Sequence, residues 1–185
     1  MKKAAAVLDF WFGKPGSTEF GKTRDVWFKK NTAFDAEIVS RFGAMQSAAD
    51  AGRYDAWQAT PKGSLALIIL LDQFPRNIHR GTAASFAGDA HARRVASNAL
   101  AHGFDRGVLP VQRTFVYLPF EHSEDIADQR LSLKLFGRLG TNKDYARRHY
   151  DIIARFGRFP HRNTILGRKS TSEETDFLKQ PGSGF

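Results

Sequence analysis

Three short stretches concentrate the residues that could do chemistry: DQFPRN at 72–77, FEHSED at 120–125 and RFPHRN at 158–163. The arginines of the first and third stretches would suit a phosphate or a carboxylate, because a guanidinium fork matches a planar oxyanion in bidentate geometry. The second stretch places Glu121 beside His122, which could act as a general acid–base pair. The three stretches therefore indicate a binding site for a small anionic molecule.

These stretches supply ten candidate residues. The candidate ligand-binding residues are Asp72, Arg76, Asn77, Glu124, Arg158, His161, Arg162 and Asn163, and the candidate catalytic residues are Glu121 and His122. They form one pocket only if the three stretches converge in space, which the sequence does not show. A structural role is the alternative, because arginines near helix ends often bind carbonyl groups or neighbouring carboxylates.

Metal and thiol chemistry have little support in this sequence. Asp72, Glu121, His122 and His161 are hard metal ligands, but neither HExxH nor a comparable ligand spacing occurs. The chain has no cysteine, which excludes disulfides, thiolate zinc sites and a cysteine nucleophile. We expect no metal and no cofactor, and the sequence leaves open whether the protein is an enzyme, such as a hydrolase or a transferase.

Positive charge is concentrated in one segment. The formal net charge is +9, and residues 142–169 hold eight Lys or Arg against two Asp. Such a segment could meet nucleic acid, a membrane surface or a small anion, although a solvated basic face is the commoner explanation. Nucleic acid is not favoured, because it would need exposed aromatic rings among these charges and only Tyr150 and Phe159 are plausible ones. No apolar run approaches the ~18 residues of a transmembrane segment, so we expect none.

The element that must position the first stretch is the apolar run Leu65–Leu71. A segment that is apolar on every side is buried on every side, and its neighbours favour a helix over a strand. Thr60 followed by Pro61 predicts the start of this helix. Pro75 predicts its end at Gln73, because proline disfavours helical geometry in the residue before it.

The remaining segments also have helical patterns. Helices are predicted from Ala4 to Phe12, from Arg24 to Lys30, from Asn31 or Thr32 to Gly52, from Ser85 to Gly103, from Leu109 to Pro119, from a Ser123 cap to Gly140, from an Asn142 cap to Gly157, and from a Thr171–Glu174 capping box to Leu178. His149 lies on the apolar face of its helix and is predicted to be a core histidine. The pattern predicts an all-α fold of eight or nine helices, in antiparallel pairs or an irregular bundle. We expect a single domain over 1–180 and a flexible tail at 181–185.

Four longer motifs together resemble a known family. VLDFWFG, LLDQFPRNIHRG, FVYLPFEHSED and RFGRFPHRN, in this order and spacing, resemble the bacterial domain-of-unknown-function family 924 over almost the whole chain. The resemblance implies a compact all-α fold, similar to the tetratricopeptide-like α-α superhelix, and a cytoplasmic protein. It brings no established reaction, cofactor or catalytic residue. A tetratricopeptide-like groove would also allow a protein or peptide partner.

Overall fold

The computed structural model describes residues 2–184 in two compact units. The first unit contains residues 2–80 and 84–119, and the second contains residues 81–83 and 120–184. Within residues 2–184 the regular secondary structure is helical and includes no strand, which confirms the all-α prediction. The prediction of a single domain over 1–180 with a tail at 181–185 stays a prediction, and its end residues Met1 and Phe185 lie outside the described residues.

The described chain contains eight separate helices, because α3 and α4 are continuous through a π-helical turn. Their bounds are α1 Lys2–Phe12, α2 Thr32–Asp50, α3 Pro61–Ile68, the π turn Ile69–Gln73, α4 Phe74–Ile78, α5 Asp89–Ala101, α6 Pro110–Glu121, α7 Ile126–Leu139, α8 Lys143–Phe156 and α9 Ser172–Leu178. Within residues 2–184, no helix is both long and apolar enough to cross a membrane.

The predicted helix at 24–30 is wrong, since only a 3₁₀ turn forms there, at Asp25–Trp27. The reason lies at the next helix. Asn31 caps α2 by accepting a hydrogen bond from the Phe34 N–H at 3.0 Å, and its backbone is extended to do so. A helix that continued through residue 30 could not turn into this cap.

The central stretch is buried as predicted. Each residue from Leu65 to Leu71 is fully buried, and α3 begins with the predicted Thr60 cap on the Gly63 N–H. Aromatic rings from α1, α4 and α6 pack nearby, with Trp11 5.6 Å from Phe74 and 5.7 Å from Phe115 between ring centroids. This core holds the helix that carries the first polar stretch in place.

The predicted end of the central helix at Gln73 is wrong, because the helix widens at Pro75 instead of stopping. Proline has no N–H for the carbonyl of Leu71, four residues earlier, and its ring would clash with that carbonyl in a regular α-helix. The Phe74 N–H donates to the carbonyl of Ile69, five residues earlier, so the turn becomes π-helical. The helix then continues to Ile78.

Pro119 does not end α6 as predicted either. The helix continues to Glu121, and the two residues that follow the proline, Phe120 and Glu121, are 1% and 3% exposed. Burial of this last turn outweighs the local preference of proline for a helix end.

Helix ends in the second unit follow local rules. Gly140 and Gly157 end α7 and α8 in the left-handed conformation, and Thr171 forms the predicted capping box with Glu174. The predicted cap at Ser123 is wrong, because Asp125 caps α7 by accepting a hydrogen bond from the Ala127 N–H at 2.7 Å. The core of this unit contains Ile152, Ile153 and Phe159, with Ile126, Phe156 and Phe177 packed against it.

Candidate functional site

One face of the central helix carries polar side chains out of the core of the first unit. Gln73, Arg76 and Asn77 are spaced by three and four residues, so they share a helix face, and Arg80 follows two residues after the helix ends at Ile78. Because the π turn keeps residues 73–77 helical, the first three side chains are held on a rigid element. Two of them, Arg76 and Asn77, were predicted as ligand-binding residues.

Arg76 is held by two carboxylates. Its Nη1 lies 3.3 Å from Oδ1 of the fully buried Asp72 and 2.9 Å from Oδ1 of Asp89, and Nη2 donates to Asp89 Oδ2 at 3.1 Å. Burial alone would lower the pKa of Arg76, but the charges of Asp72 and Asp89 outweigh burial and raise it. Asp72 is therefore part of the support for Arg76, together with the Gln73 amide that donates to it.

Asn77 and Arg80 share a third carboxylate, on α2. The Asn77 Nδ2 donates to Asp35 Oδ1 at 2.7 Å, and Nε and Nη2 of Arg80 bind the same carboxylate at 3.0–3.2 Å. The Nη1 of Arg80 makes no hydrogen bond to any residue within 2–184. The two N–H donors of Nη1 are thus available after the carboxylate has fixed the position of the guanidinium.

A cavity of about 80 Å³ lies between this helix face and the segment 26–30. The segment adds Lys29 and Lys30, so four cationic side chains and two amides line the cavity, with Val26, Trp27 and Phe28 completing its wall. None of the described residues that line it is acidic. We call it the basic cavity. A larger open depression of about 310 Å³ along residues 18–26 includes acidic side chains and does not favour an anion.

In the second unit, two of the predicted stretches meet at Glu124. Its Oε1 accepts a hydrogen bond from the Phe159 N–H at 2.8 Å, and its carboxylate pairs with Arg168 at 2.7 and 2.9 Å. Burial opposes ionisation, but these hydrogen bonds prevail and lower the pKa of Glu124. FEHSED and RFPHRN are therefore joined. The convergence of DQFPRN, in the other unit, with these two stretches stays a prediction.

Arg158 also has a protein partner. Its Nε and Nη2 bind the two oxygens of Glu174 at 2.6 and 2.8 Å, and Glu174 is the acidic member of the capping box of α9. The hydrogen bond from Arg158 lowers the pKa of Glu174 to about 2. The contacts of Arg158 and Glu124 favour the structural alternative for these two residues.

A buried histidine, His149, lies next to the candidate catalytic residues. Glu121 is 3% exposed, and its Oε1 lies 3.6 Å from Nδ1 of His149, which is 4% exposed as predicted for a core histidine. The Nδ1 of His149 also lies 2.8 Å from the carbonyl of Tyr145, an arrangement in which Nδ1 carries the proton and donates it. The His122 ring lies 6.4 Å from that of His149. Burial, followed by the charges of neighbouring basic side chains, lowers the pKa of His149 to about 3.

The RFPHRN stretch lies against the same cluster. The Phe159 ring is 5.5 Å from His149 and 5.6 Å from His161, and the Arg162 guanidinium lies 4.5 Å above it. Burial and the charge of Arg162 lower the pKa of His161 to about 4. Asn163 is 1% exposed and donates to Ser170 Oγ at 3.1 Å, while its Oδ1 has no hydrogen-bond partner among residues 2–184.

Two groups of residues that contribute to these sites were not predicted from the sequence. Gln129 on α7 is fully buried and donates from Nε2 to the carbonyls of Glu121 and Ser123 at 2.6 and 2.7 Å, which fixes the FEHSED turn. A buried glutamine at a core position of an amphipathic helix was the available signal. Lys29 and Lys30 reach the basic cavity from a segment distant in sequence, and no local pattern marks them.

Metal ligation has no support in the described geometry. Among residues 2–184, no group of three or more His, Asp or Glu side chains could hold a metal ion. The chemistry that the observed side chains offer is therefore hydrogen bonding, charge pairing and proton transfer.

Taken together, the fold and the polar motifs define an all-helical protein with a basic cavity in one unit and a histidine cluster around the buried His149 in the other. The chain belongs to the bacterial protein family of unknown function DUF924, whose model matches residues 7–182. It is also similar to the solved structure of a protein of unknown function from Agrobacterium tumefaciens. The two are 45% identical, with a TM-score of 0.88, over 96% of this chain and 97% of the other. No curated protein matches the chain.

Replacing Glu124 by alanine should destabilise the protein without changing anion binding. The substitution leaves the Phe159 N–H without its acceptor and Arg168 without its carboxylate, so we expect a loss of about 2 kcal/mol in the free energy of unfolding. Urea denaturation measures this loss. Glu37→Ala, which breaks an exposed pair with Arg41, is the control and should change the stability by less than ~1 kcal/mol. Equal effects of the two substitutions would contradict the structural role of Glu124.

Proposed function

We propose that this protein binds a small oxyanion, a phosphate or a carboxylate, in the basic cavity of the first unit. The observation that carries the proposal is the lining of this cavity, in which Lys29, Lys30, Arg76 and Arg80 surround about 80 Å³ of space. The two predicted residues Arg76 and Asn77 are part of this lining.

The charges of the cavity support an anion as its occupant. Arg76, Arg80 and Lys29 are each paired with carboxylates, but none of these carboxylates is among the lining residues. Lys30 makes no ion pair with any described residue, so its ammonium group is available to a ligand. An anion in the cavity would therefore meet cations and amide donors together, which is the environment that charge-assisted hydrogen bonds require.

The volume of the cavity supports a small charged group. A cavity of about 80 Å³ is smaller than the roughly 150 Å³ of a cavity that holds a benzene ring. Pockets that enclose a whole drug-sized ligand have volumes of roughly 300 Å³ or more, so only a charged group of a few heavy atoms fits inside. A phosphate or carboxylate group meets both the charge and the size.

Removing a cation from the lining should weaken binding. We expect Lys30→Gln and Arg80→Gln each to lower the affinity for inorganic phosphate or acetate about tenfold, because a hydrogen bond to a charged group contributes roughly 1.5–3 kcal/mol. Titration followed by ¹H–¹⁵N NMR measures the affinity and shows whether the amides of residues 28–30 and 77 respond.

Lys30→Gln is the sharper of the two variants, because its lysine has no ion-pair partner among residues 2–184 whose loss could disturb the fold. Lys62→Gln, an exposed lysine of the same unit outside the cavity lining, is the matched control and should leave the affinity unchanged. Binding that Lys30→Gln and Lys62→Gln weaken equally would reflect net charge alone and would refute the proposal, as would an absence of binding to the wild-type protein.

The residues of the second unit support a finer and separate proposal. His161, Arg162 and Asn163 remain candidates for contact with a ligand, and Glu121 with His122 remains the candidate acid–base pair of a hydrolase or transferase. The support is the closeness of Glu121 to His149 and the packing of Phe159, from the RFPHRN stretch, against His149 and His161.

The remaining expectations from the sequence stay predictions. They are the tetratricopeptide-like arrangement with a protein or peptide partner in its groove, and a cytoplasmic location. Contact of the basic segment 142–169 with nucleic acid is not favoured, because several of its arginines are paired, including Arg147 with Asp151 and Arg155 with Glu173.

A further inference from the structure

The wall of the basic cavity contains an exposed aromatic ring. Phe28 lines the cavity beside Lys29 and Lys30 and is 59% exposed, the highest value among the large apolar side chains described as exposed. A phenylalanine at the surface exposes apolar area to water, but a single exposed apolar residue is common in proteins and does not by itself indicate a binding site. Its position on the rim of a cavity lined by cations is what distinguishes it.

The Phe28 ring has a defined orientation. It lies nearly parallel to the Phe115 ring, at an angle of 12° with centroids 6.5 Å apart, and meets Trp27 edge-on at 6.1 Å. Its backbone is also anchored, because the N–H groups of Phe28 and Lys29 both donate to the carbonyl of Asp25. Because more than half of the residue is exposed, part of the ring surface of Phe28 is open to solvent.

We propose that the anion bound in the basic cavity carries a planar unsaturated ring, which stacks on the exposed part of the Phe28 ring. The inference rests on the proposed oxyanion site and adds the class of ligand, an aryl phosphate or aryl carboxylate. The cavity has room only for the charged group of the ligand. The rest of the ligand must therefore lie at the edge of the cavity, beside Phe28. Stacking on an oriented ring orders few side-chain torsions and favours planar groups over puckered ones.

The test compares ligands that differ only in the group next to the charge. Inorganic phosphate, phenyl phosphate and cyclohexyl phosphate form one series, and acetate, benzoate and cyclohexanecarboxylate form the other. Affinities are measured by NMR titration on the wild-type protein, Phe28→Leu and the control Val39→Ala, which changes an exposed apolar residue of α2 outside the cavity lining. Leucine keeps an apolar side chain but removes the planar face.

In at least one series, we expect the aryl ligand to bind the wild-type protein about tenfold more tightly than the simple anion and several-fold more tightly than the cyclohexyl ligand. In Phe28→Leu this preference should fall to about twofold or less, and Val39→Ala should retain the wild-type preference. If phosphate or acetate binds and the aryl ligand has no advantage in either series, or if Phe28→Leu retains the advantage, the stacking inference is wrong and the oxyanion site stands. If no ligand of either series binds, both are wrong.

Discussion

Acidification from pH 7 to pH 4 is expected to destabilise the second unit by on the order of 6 kcal/mol, through His149 and His161. The pKa of His149 is lowered to about 3 and that of His161 to about 4, against an ordinary value of 6.5. Above pH 6.5 both histidines are neutral in the folded and the unfolded chain. Below pH 6.5 the two histidines bind protons in the unfolded chain but stay neutral in the folded chain. The free energy of unfolding therefore falls with pH until the folded pKa values are reached.

Burial and the charged groups around His149 and His161 together account for the size of their pKa shifts. Burial is the largest cause for both, and Arg162 and His122 add positive charge beside them. Glu124 opposes this for His161 but is neutralised by Arg168, and Glu121 is the carboxylate nearest to His149. Protonation of either ring would place a further cation in this buried, already basic cluster.

Urea denaturation at pH 7, 6, 5 and 4 measures the slope of stability against pH. Each proton that only the unfolded chain binds contributes about 1.4 kcal/mol per pH unit. His149→Gln should reduce the slope between pH 6 and 4 by about one proton, whereas the exposed His102→Gln, in the first unit, should leave it unchanged. A slope that is the same in His149→Gln and in the wild-type protein would show that His149 is not held neutral.

Gly88→Ala is expected to be among the most destabilising single substitutions, with a loss of about 3 kcal/mol or more in the free energy of unfolding. A Cβ atom at Gly88 would lie 2.3 Å from the carbonyl oxygen of Leu71 and 3.2 Å from its carbonyl carbon. The backbone angles of Gly88, φ −81° and ψ −9°, are ordinary for alanine, so the effect comes from the clash alone.

Gly88 packs closely against the central helix at the carbonyl of Leu71. This carbonyl receives no hydrogen bond from Pro75, because proline has no N–H. Gly43→Ala, in the middle of α2, is the matched control. No heavy atom lies within 4 Å of the added Cβ there, so the substitution should stabilise the helix by up to ~1 kcal/mol. Equal stability of the two variants would contradict the close packing.

What the sequence predicted correctly is set by short-range chemistry. The Thr60 cap, the glycine ends of α7 and α8 and the Thr171–Glu174 capping box depend on residues within one turn, so their patterns suffice. The burial of Leu65–Leu71 follows from composition alone. These features led to an all-α fold and to a polar stretch attached to a buried helix.

What the sequence could not predict depends on contacts between distant segments. The π turn before Pro75 packs closely against Gly88 at the carbonyl of Leu71, and no rule about residues near a proline includes that contact. Lys30 reaches the basic cavity because α2 and its cap hold the preceding segment, which local patterns do not show. Arg158 looked like a ligand-binding residue because its partner Glu174 lies 16 residues further along the chain.

The three carboxylates that pair with the arginines of the basic cavity also affect the entropy of binding. Asp35, Asp72 and Asp89 already fix the guanidinium groups of Arg76 and Arg80 when the site is empty. The rotational freedom of these long side chains is lost when the chain folds, not when a ligand arrives. A ligand therefore meets a preorganised set of donors, and its shape should decide its affinity more than its total charge.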